Sequence, residues 1–217
     1  FDTLKANKMM DGVHVRLTLT RGEKITSGMN PKLNQSGCSL IVLAEWKNPV
    51  YNDIGIKVIT SSVRRNNPQY LDSKIHHNNL LNNILASIDA NVAGVDSAIM
   101  LDCNGFIAET NDTNLFIICG GELFTPFADA CLPGLTRQMV ISIAQAEQIP
   151  VSEKNISLTE LYNADEVFTT GTMGELTPVL EADGRRIGSG AKGLLTKKLQ
   201  SCHKKYAYMH GEEIPLD

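Results

Sequence analysis

Strict alternation opens the chain's legible part. Over Val13-His14-Val15-Arg16-Leu17-Thr18-Leu19-Thr20, Val13, Val15, Leu17 and Leu19 face one way and His14, Arg16, Thr18 and Thr20 the other. This predicts a strand that sets His14 and Arg16 side by side on a polar face. Before it, Phe1, Leu4 and Met9 read as the tail of an amphipathic helix, so the chain is expected to be a fragment or to lack an earlier part. Cys38–Ala44 is a second, more apolar strand. The stretch 46–53 is polar, carries Pro49 and breaks periodicity, which predicts a linker between domains at 1–45 and 54–217.

The second part begins with a strand over Ile54–Thr60. Apolar residues then recur at Leu80, Leu81, Ile84, Leu85, Ile88 and Val92, and Gly94 is a natural stop, so a helix is expected there. Lys74, in Asp72-Ser73-Lys74-Ile75-His76-His77, falls where strand gives way to helix, a place where reactive groups are often displayed. Strands follow at 97–102, 106–110, 115–119 and 122–125, with Asn104-Gly105 and Gly120-Gly121 as hairpin signals. Leu132-Pro133-Gly134-Leu135-Thr136-Arg137 opens a helix to about Gln148. A strand at 151–157, a short helix at 158–163, a strand at 166–170, a hairpin around Asp183 and a C-terminal helix from about Lys192 complete the reading.

Composition narrows the classes. With 217 residues, 42% hydrophobic, 20% charged and a formal charge of −4, the chain is ordinarily globular, with no basic patch for nucleic acid. No uninterrupted apolar run is long enough to span a membrane. Five cysteines without a CxxC pair favour free thiols in a reducing, cytoplasmic compartment over a disulfide framework or zinc site. His76-His77 lacks a third ligand, so no metal site is expected.

Four pieces read in order: Lys74; Glu109 in Ile107-Ala108-Glu109-Thr110-Asn111; Leu132–Arg137; and Gly171-Thr172-Met173. Together with Asn114-Leu115-Phe116, Thr125-Pro126, Ala164-Asp165-Glu166-Val167-Phe168 and Thr177-Pro178-Val179, they resemble the fold-type IV (class IV) pyridoxal-phosphate-dependent aminotransferases, over about Val13 to Gln200. Among these the chain is most like the branched-chain type. The resemblance implies an α+β fold, with a remnant of a small N-terminal α/β domain and a larger pseudo-barrel domain that binds the cofactor.

It also implies roles. Lys74 would hold pyridoxal 5'-phosphate as a Schiff base and afterwards move the proton from substrate Cα. Glu109 would keep the ring nitrogen protonated. Leu132 would pack on the ring, and Leu135, Thr136 and Thr172 would contact the phosphate. Pro133-Gly134 suits that last task, because Pro favours a helix entry and Gly lets backbone approach an anion.

A carboxylate substrate needs an arginine or a cluster of donors. His14 and Arg16 match the strand on which branched-chain enzymes place a substrate-side arginine, and Met173 would shape the pocket. The implied reaction transfers an amino group from an L-amino acid, branched-chain first, to 2-oxoglutarate in a homodimer. A D-amino-acid transaminase, an aminodeoxychorismate lyase and a non-catalytic domain of the same fold are the alternatives. Three features depart from the family pattern. An upstream phosphate-binding arginine would precede Phe1. The helix after Lys74 begins Asn79-Leu80-Leu81, without the bacterial enzymes' tyrosine. Met173-Gly174 replaces small residues.

Overall fold

The computed structural model describes residues 1–48, 50–51 and 54–215. The expected linker at 46–53 and the end of the second domain at 217 therefore lie partly outside the described residues. The chain divides into two compact units, Phe1–Pro49 with Gly211–Asp217, and Val50–His210.

The first unit pairs β1 (Val13–Thr20) antiparallel with β2 (Ser39–Trp46), so strand structure runs through Trp46. Helix α1 (Asp2–Asn7) ends on Lys8 in the left-handed region. The register puts Val15 opposite Ala44, Leu17 opposite Val42 and Leu19 opposite Leu40 on one face, with His14 opposite Glu45 on the other. The alternation in the sequence is thus a true two-faced strand.

The second unit is built on β3 (Ile56–Thr60), β4 (Ser97–Leu101), β5 (Ile107–Thr110), β6 (Asn114–Cys119), β7 (Glu122–Thr125), β8 (Val151–Glu153), β9 (Glu166–Gly171), β10 (Glu175–Ala182) and β11 (Arg185–Arg186). Its helices are α2 (Leu81–Ala93), α3 (Leu135–Ala146), α4 (Leu158–Tyr162) and α5 (Leu194–Met209). Among the described residues the sheet runs β5-β4-β3-β10-β9-β6-β7-β8, with β11 on β10. Its two ends meet, because Ile107 N in β5 donates to Ile156 O just beyond β8 at 2.9 Å. That closure produces the expected pseudo-barrel. It also explains why β4 and most of β6 read as apolar runs without alternation, and why β5 is buried throughout: both faces are covered.

The hairpins form where expected. Gly120 and Gly121 both have positive φ (59° and 81°), as a tight hairpin between β6 and β7 needs. Strand β8 is shorter than predicted, because after Glu153 the chain turns toward the Ser157–Glu160 capping box that starts α4.

Two layers flank the sheet. Phe116 and Phe168 stack at 5.1 Å between centroids and pack with Val140 of α3 and Leu199 of α5. At the other end α2 docks through Ala86 and Ala90 against Ala98 and Met100 of β4. The larger residues of α2 point away: Leu81, Ile84, Leu85, Ile88 and Val92 are exposed, from 41% at Leu85 to 84% at Val92. Small residues on the inner face let the helix lie close to the strands, which leaves the broad apolar stripe outside.

Candidate active site

Glu109 is the centre of the arrangement. It sits on β5 opposite Met100 and is 5% exposed. Its Oε1 accepts from Arg65 Nε at 2.6 Å and from Leu132 N at 3.4 Å, and its Oε2 from Asn114 Nδ2 at 3.0 Å. Burial pushes its carboxyl up to about 7, with Arg65 the first of the groups opposing that rise.

Asn114, the first residue of β6, joins this carboxylate to the next piece. Its Nδ2 also donates to Leu132 O at 2.8 Å. Gly134 lies so close that a Cβ there would clash with Asn114 Oδ1. Gly134 is the N-cap of α3, and no side chain caps that first turn. Leu135 is exposed and Thr136 half-buried, and the first-turn N–H groups of the helix have no side-chain cap. Arg137 is pinned structurally, donating from Nη2 to Pro126 O at 2.8 Å and pairing with Glu153 at 3.1 Å.

Thr170, at the end of β9, pairs with Asn114 in register and therefore shares its face. It is 2% exposed, and its Oγ1 has no hydrogen-bond partner among the described residues. A buried hydroxyl without a partner, across from Asn114, marks a place for a polar group. The turn Thr172-Met173-Gly174 follows directly. Thr113 Cγ2 would lie 3.0 Å from a Cβ on Gly171, and the Tyr51 ring 3.2 Å from one on Gly174. Val50 N donates to Met173 O at 3.4 Å, while Tyr51 Oη donates to Asp112 at 3.2 Å.

The structure thus brings Glu109, Leu132 and the start of α3 together. Lys74 lies in the turn before α2, its side chain 43% exposed and paired with Asp72 at 3.7 Å. Among the described residues its amine makes no contact with Glu109, Leu132 or α3; only its chain neighbour is anchored nearby, Ser73 Oγ donating to Asn66 O at 3.0 Å, next to Arg65. His77 Nδ1 accepts from Asn79 N at 3.1 Å, which fixes that turn. His14 and Arg16 share a face of the two-stranded sheet in the first unit; Arg16 is exposed, and His14 Nδ1 is buried without a partner among the described residues.

The order and spacing of these pieces decide the family. The amino-transferase class IV profile matches residues 1–182. The chain belongs to the class IV aminotransferases. It is 56% identical over 216 residues to the branched-chain-amino-acid aminotransferase-like protein 2 of Arabidopsis thaliana, covering 99% of this chain and 39% of that protein. It is 40% identical over 204 residues to a putative branched-chain-amino-acid aminotransferase of Methanocaldococcus jannaschii, covering 94% of this chain and 70% of the other. A solved branched-chain amino acid aminotransferase from Thermobaculum terrenum, in its PLP-bound holo form, matches with a TM-score of 0.86 at 28% identity, over 96% of this chain and 68% of that one. This class IV chain therefore spans about two fifths of its Arabidopsis relative.

Three residues escaped the sequence reading. Arg65 stands in an Arg64-Arg65 doublet after an apolar strand, and only burial distinguishes the two. Asn114 was legible as part of Asn114-Leu115-Phe116 but not as a bridge. Thr170 was hidden in Thr169-Thr170, since facing side chains follow from the register of β9 with β6. Gly134→Ala tests the bridge. The new methyl displaces Asn114 from both Leu132 and Glu109, and thermal unfolding should fall by an amount equivalent to ~1–3 kcal/mol, typical of overpacking. An unchanged melting temperature would show that the turn adapts without Asn114.

Proposed function

We propose that this chain is the catalytic body of a pyridoxal-phosphate-dependent aminotransferase. It moves an amino group from an L-amino acid, branched-chain first, to 2-oxoglutarate. The observation that supports this best is the buried Glu109 carboxylate held beside an uncapped helix start. One acidic acceptor and one anion site, joined by Asn114, suit a cofactor with a protonatable ring at one end and a phosphate at the other. The unpartnered Thr170 hydroxyl fits the same group.

Pyridoxal phosphate, when bound, supplies a sink for the electron pair left as substrate Cα loses its proton. Glu109 would hold the ring nitrogen's proton. Leu132 would pack on the ring, and Leu135, Thr136 and Thr172 would take the phosphate. Lys74 would anchor the cofactor and afterwards carry the proton from Cα. Arg16 and His14 would bind the substrate carboxylate and Met173 would border its side chain. The two-domain division at 1–45 and 54–217 and a cytosolic setting belong to the same reading; the five free cysteines support the setting.

The test is the visible absorbance of purified protein after pyridoxal phosphate is added and the excess removed, with L-leucine then titrated in. A lysine-bound band that converts on L-leucine supports the reading. A band that responds to D-amino acids or aminodeoxychorismate instead moves the substrate assignment. No band at all favours a non-catalytic domain.

The reading includes a homodimer, with α2 as the contact. The exposed Leu81, Ile84, Leu85, Ile88 and Val92 form a stripe on a helix whose single ionisable residue, Asp89, accepts from Ser61 Oγ at 2.6 Å. In a two-fold pairing the same uncharged stripe meets itself, so no like charges are brought together. Sedimentation should show a dimer for the wild-type chain and a monomer for Ile84→Glu. A dimeric Ile84→Glu would place the contact elsewhere.

A further inference from the structure

We propose that Arg65 is the positioning residue that keeps Glu109 available as an anion to the cofactor's ring nitrogen, an inference that rests on the pyridoxal phosphate reading. Arg65 has a 7% exposed side chain, and its Nε donates to Glu109 Oε1 at 2.6 Å. Its backbone is fixed by Arg65 N donating to Leu101 O at 2.9 Å. A second arm of its fork is held by α2, since Nη1 donates to Asn83 Oδ1 at 3.1 Å. Asn83 is itself tied, its Nδ2 donating to Asn111 O at 2.7 Å.

The geometry divides the carboxylate between two tasks. Oε1 accepts two donors, Arg65 Nε and Leu132 N, while Oε2 accepts Asn114 Nδ2 alone among the described residues. A carboxylate oxygen has two lone-pair directions, so Oε2 keeps one for a ring N–H. A buried carboxyl without a paired cation takes up a proton and turns from acceptor into donor. The other ionisable groups bearing on Glu109 are Asp112, whose charge disfavours the anion, and the Cys131 thiol, which burial pushes up to about 12 and leaves neutral. Arg65 is therefore the cation on which the charge of Glu109 depends.

The test reads the Glu109 carboxylate by isotope-edited infrared spectroscopy in cofactor-free protein over a pH series, with Glu109→Gln as the blank. In Arg65→Met the carboxyl should titrate at a proton concentration about tenfold lower than in wild type, one unit of pH. Arg65→Lys, which keeps the charge without the fork, should fall between. A folded Arg65→Met with the wild-type midpoint overturns the proposal. If Arg65→Met does not fold, Asn83→Ala decides: it frees Nη1 and should move the midpoint the same way by less, and an unmoved midpoint overturns it.

A second readout separates this role from packing. Arg65→Met should weaken pyridoxal phosphate binding about tenfold and leave inorganic phosphate binding unchanged. Equal loss of both would make Arg65 merely structural. The infrared midpoint needs no cofactor, so wild-type protein that ignores pyridoxal phosphate refutes the cofactor reading, whereas an unmoved midpoint refutes the role of Arg65.

Discussion

On the proposed reading, replacing Lys74 with alanine should abolish the lysine-bound pyridoxal phosphate chromophore and lower transamination by at least ~10³-fold. General acid–base groups alone contribute roughly 10²–10⁴-fold, and in the proposed role the same amine would also anchor the cofactor. The variant should remain folded. Lys74 is 43% exposed and its ion pair with Asp72 spans 3.7 Å, an exposed geometry worth about 0–1 kcal/mol. Circular dichroism and melting temperature should therefore match wild type while the absorbance band disappears. A Lys74→Ala protein that keeps a lysine-bound band would remove Lys74 from this role. Asp72→Asn is the companion variant: it breaks the ion pair and should leave the band in place.

Glu109→Gln has the second largest effect, and it acts on two quantities at once. Turnover should drop roughly 10²-fold, the order of effect seen when one preorganised electrostatic partner is removed. The amide cannot hold a ring nitrogen's proton as a carboxylate does. Cofactor should still bind, because the start of α3 and Thr170 are untouched. Stability should also fall, since Arg65 loses its counter-charge in a site where the two side chains are 7% and 6% exposed. Breaking one partner of a buried pair costs about 3–5 kcal/mol. Adding Arg65→Met to Glu109→Gln should recover much of that stability and none of the turnover. Non-additive stability with additive or unchanged activity loss is the signature of a pair that shares one charge balance. Wild-type turnover in Glu109→Gln would contradict the ring-nitrogen assignment outright.

Much of this protein was legible along the chain. The eight-residue alternation of Val13–Thr20 is reproduced as β1, because a strand's faces repeat every second residue whatever it packs against. The apolar spacing from Leu81 to Val92 located α2, and Gly94 ends it in the left-handed region. Gly120-Gly121 located a hairpin for the same local reason. The Leu132–Arg137 stretch located the start of α3, and Glu109, singled out by its motif, is a buried carboxylate on β5.

Tertiary structure decided the rest. Spacing shows that α2 has an apolar stripe, but the strands beside it accept Ala86 and Ala90 instead, and the stripe is left outside. Arg64 and Arg65 are equivalent in the sequence; only the second reaches Glu109, because its backbone is bonded to Leu101. Thr170 faces Asn114 only through the β6–β9 register, across a long separation in the chain. Sequence periodicity reports the geometry of one element, which local sterics set. Burial and charge pairing depend on which distant element arrives beside it, and that is settled only when the sheet closes from β5 to the residues just beyond β8.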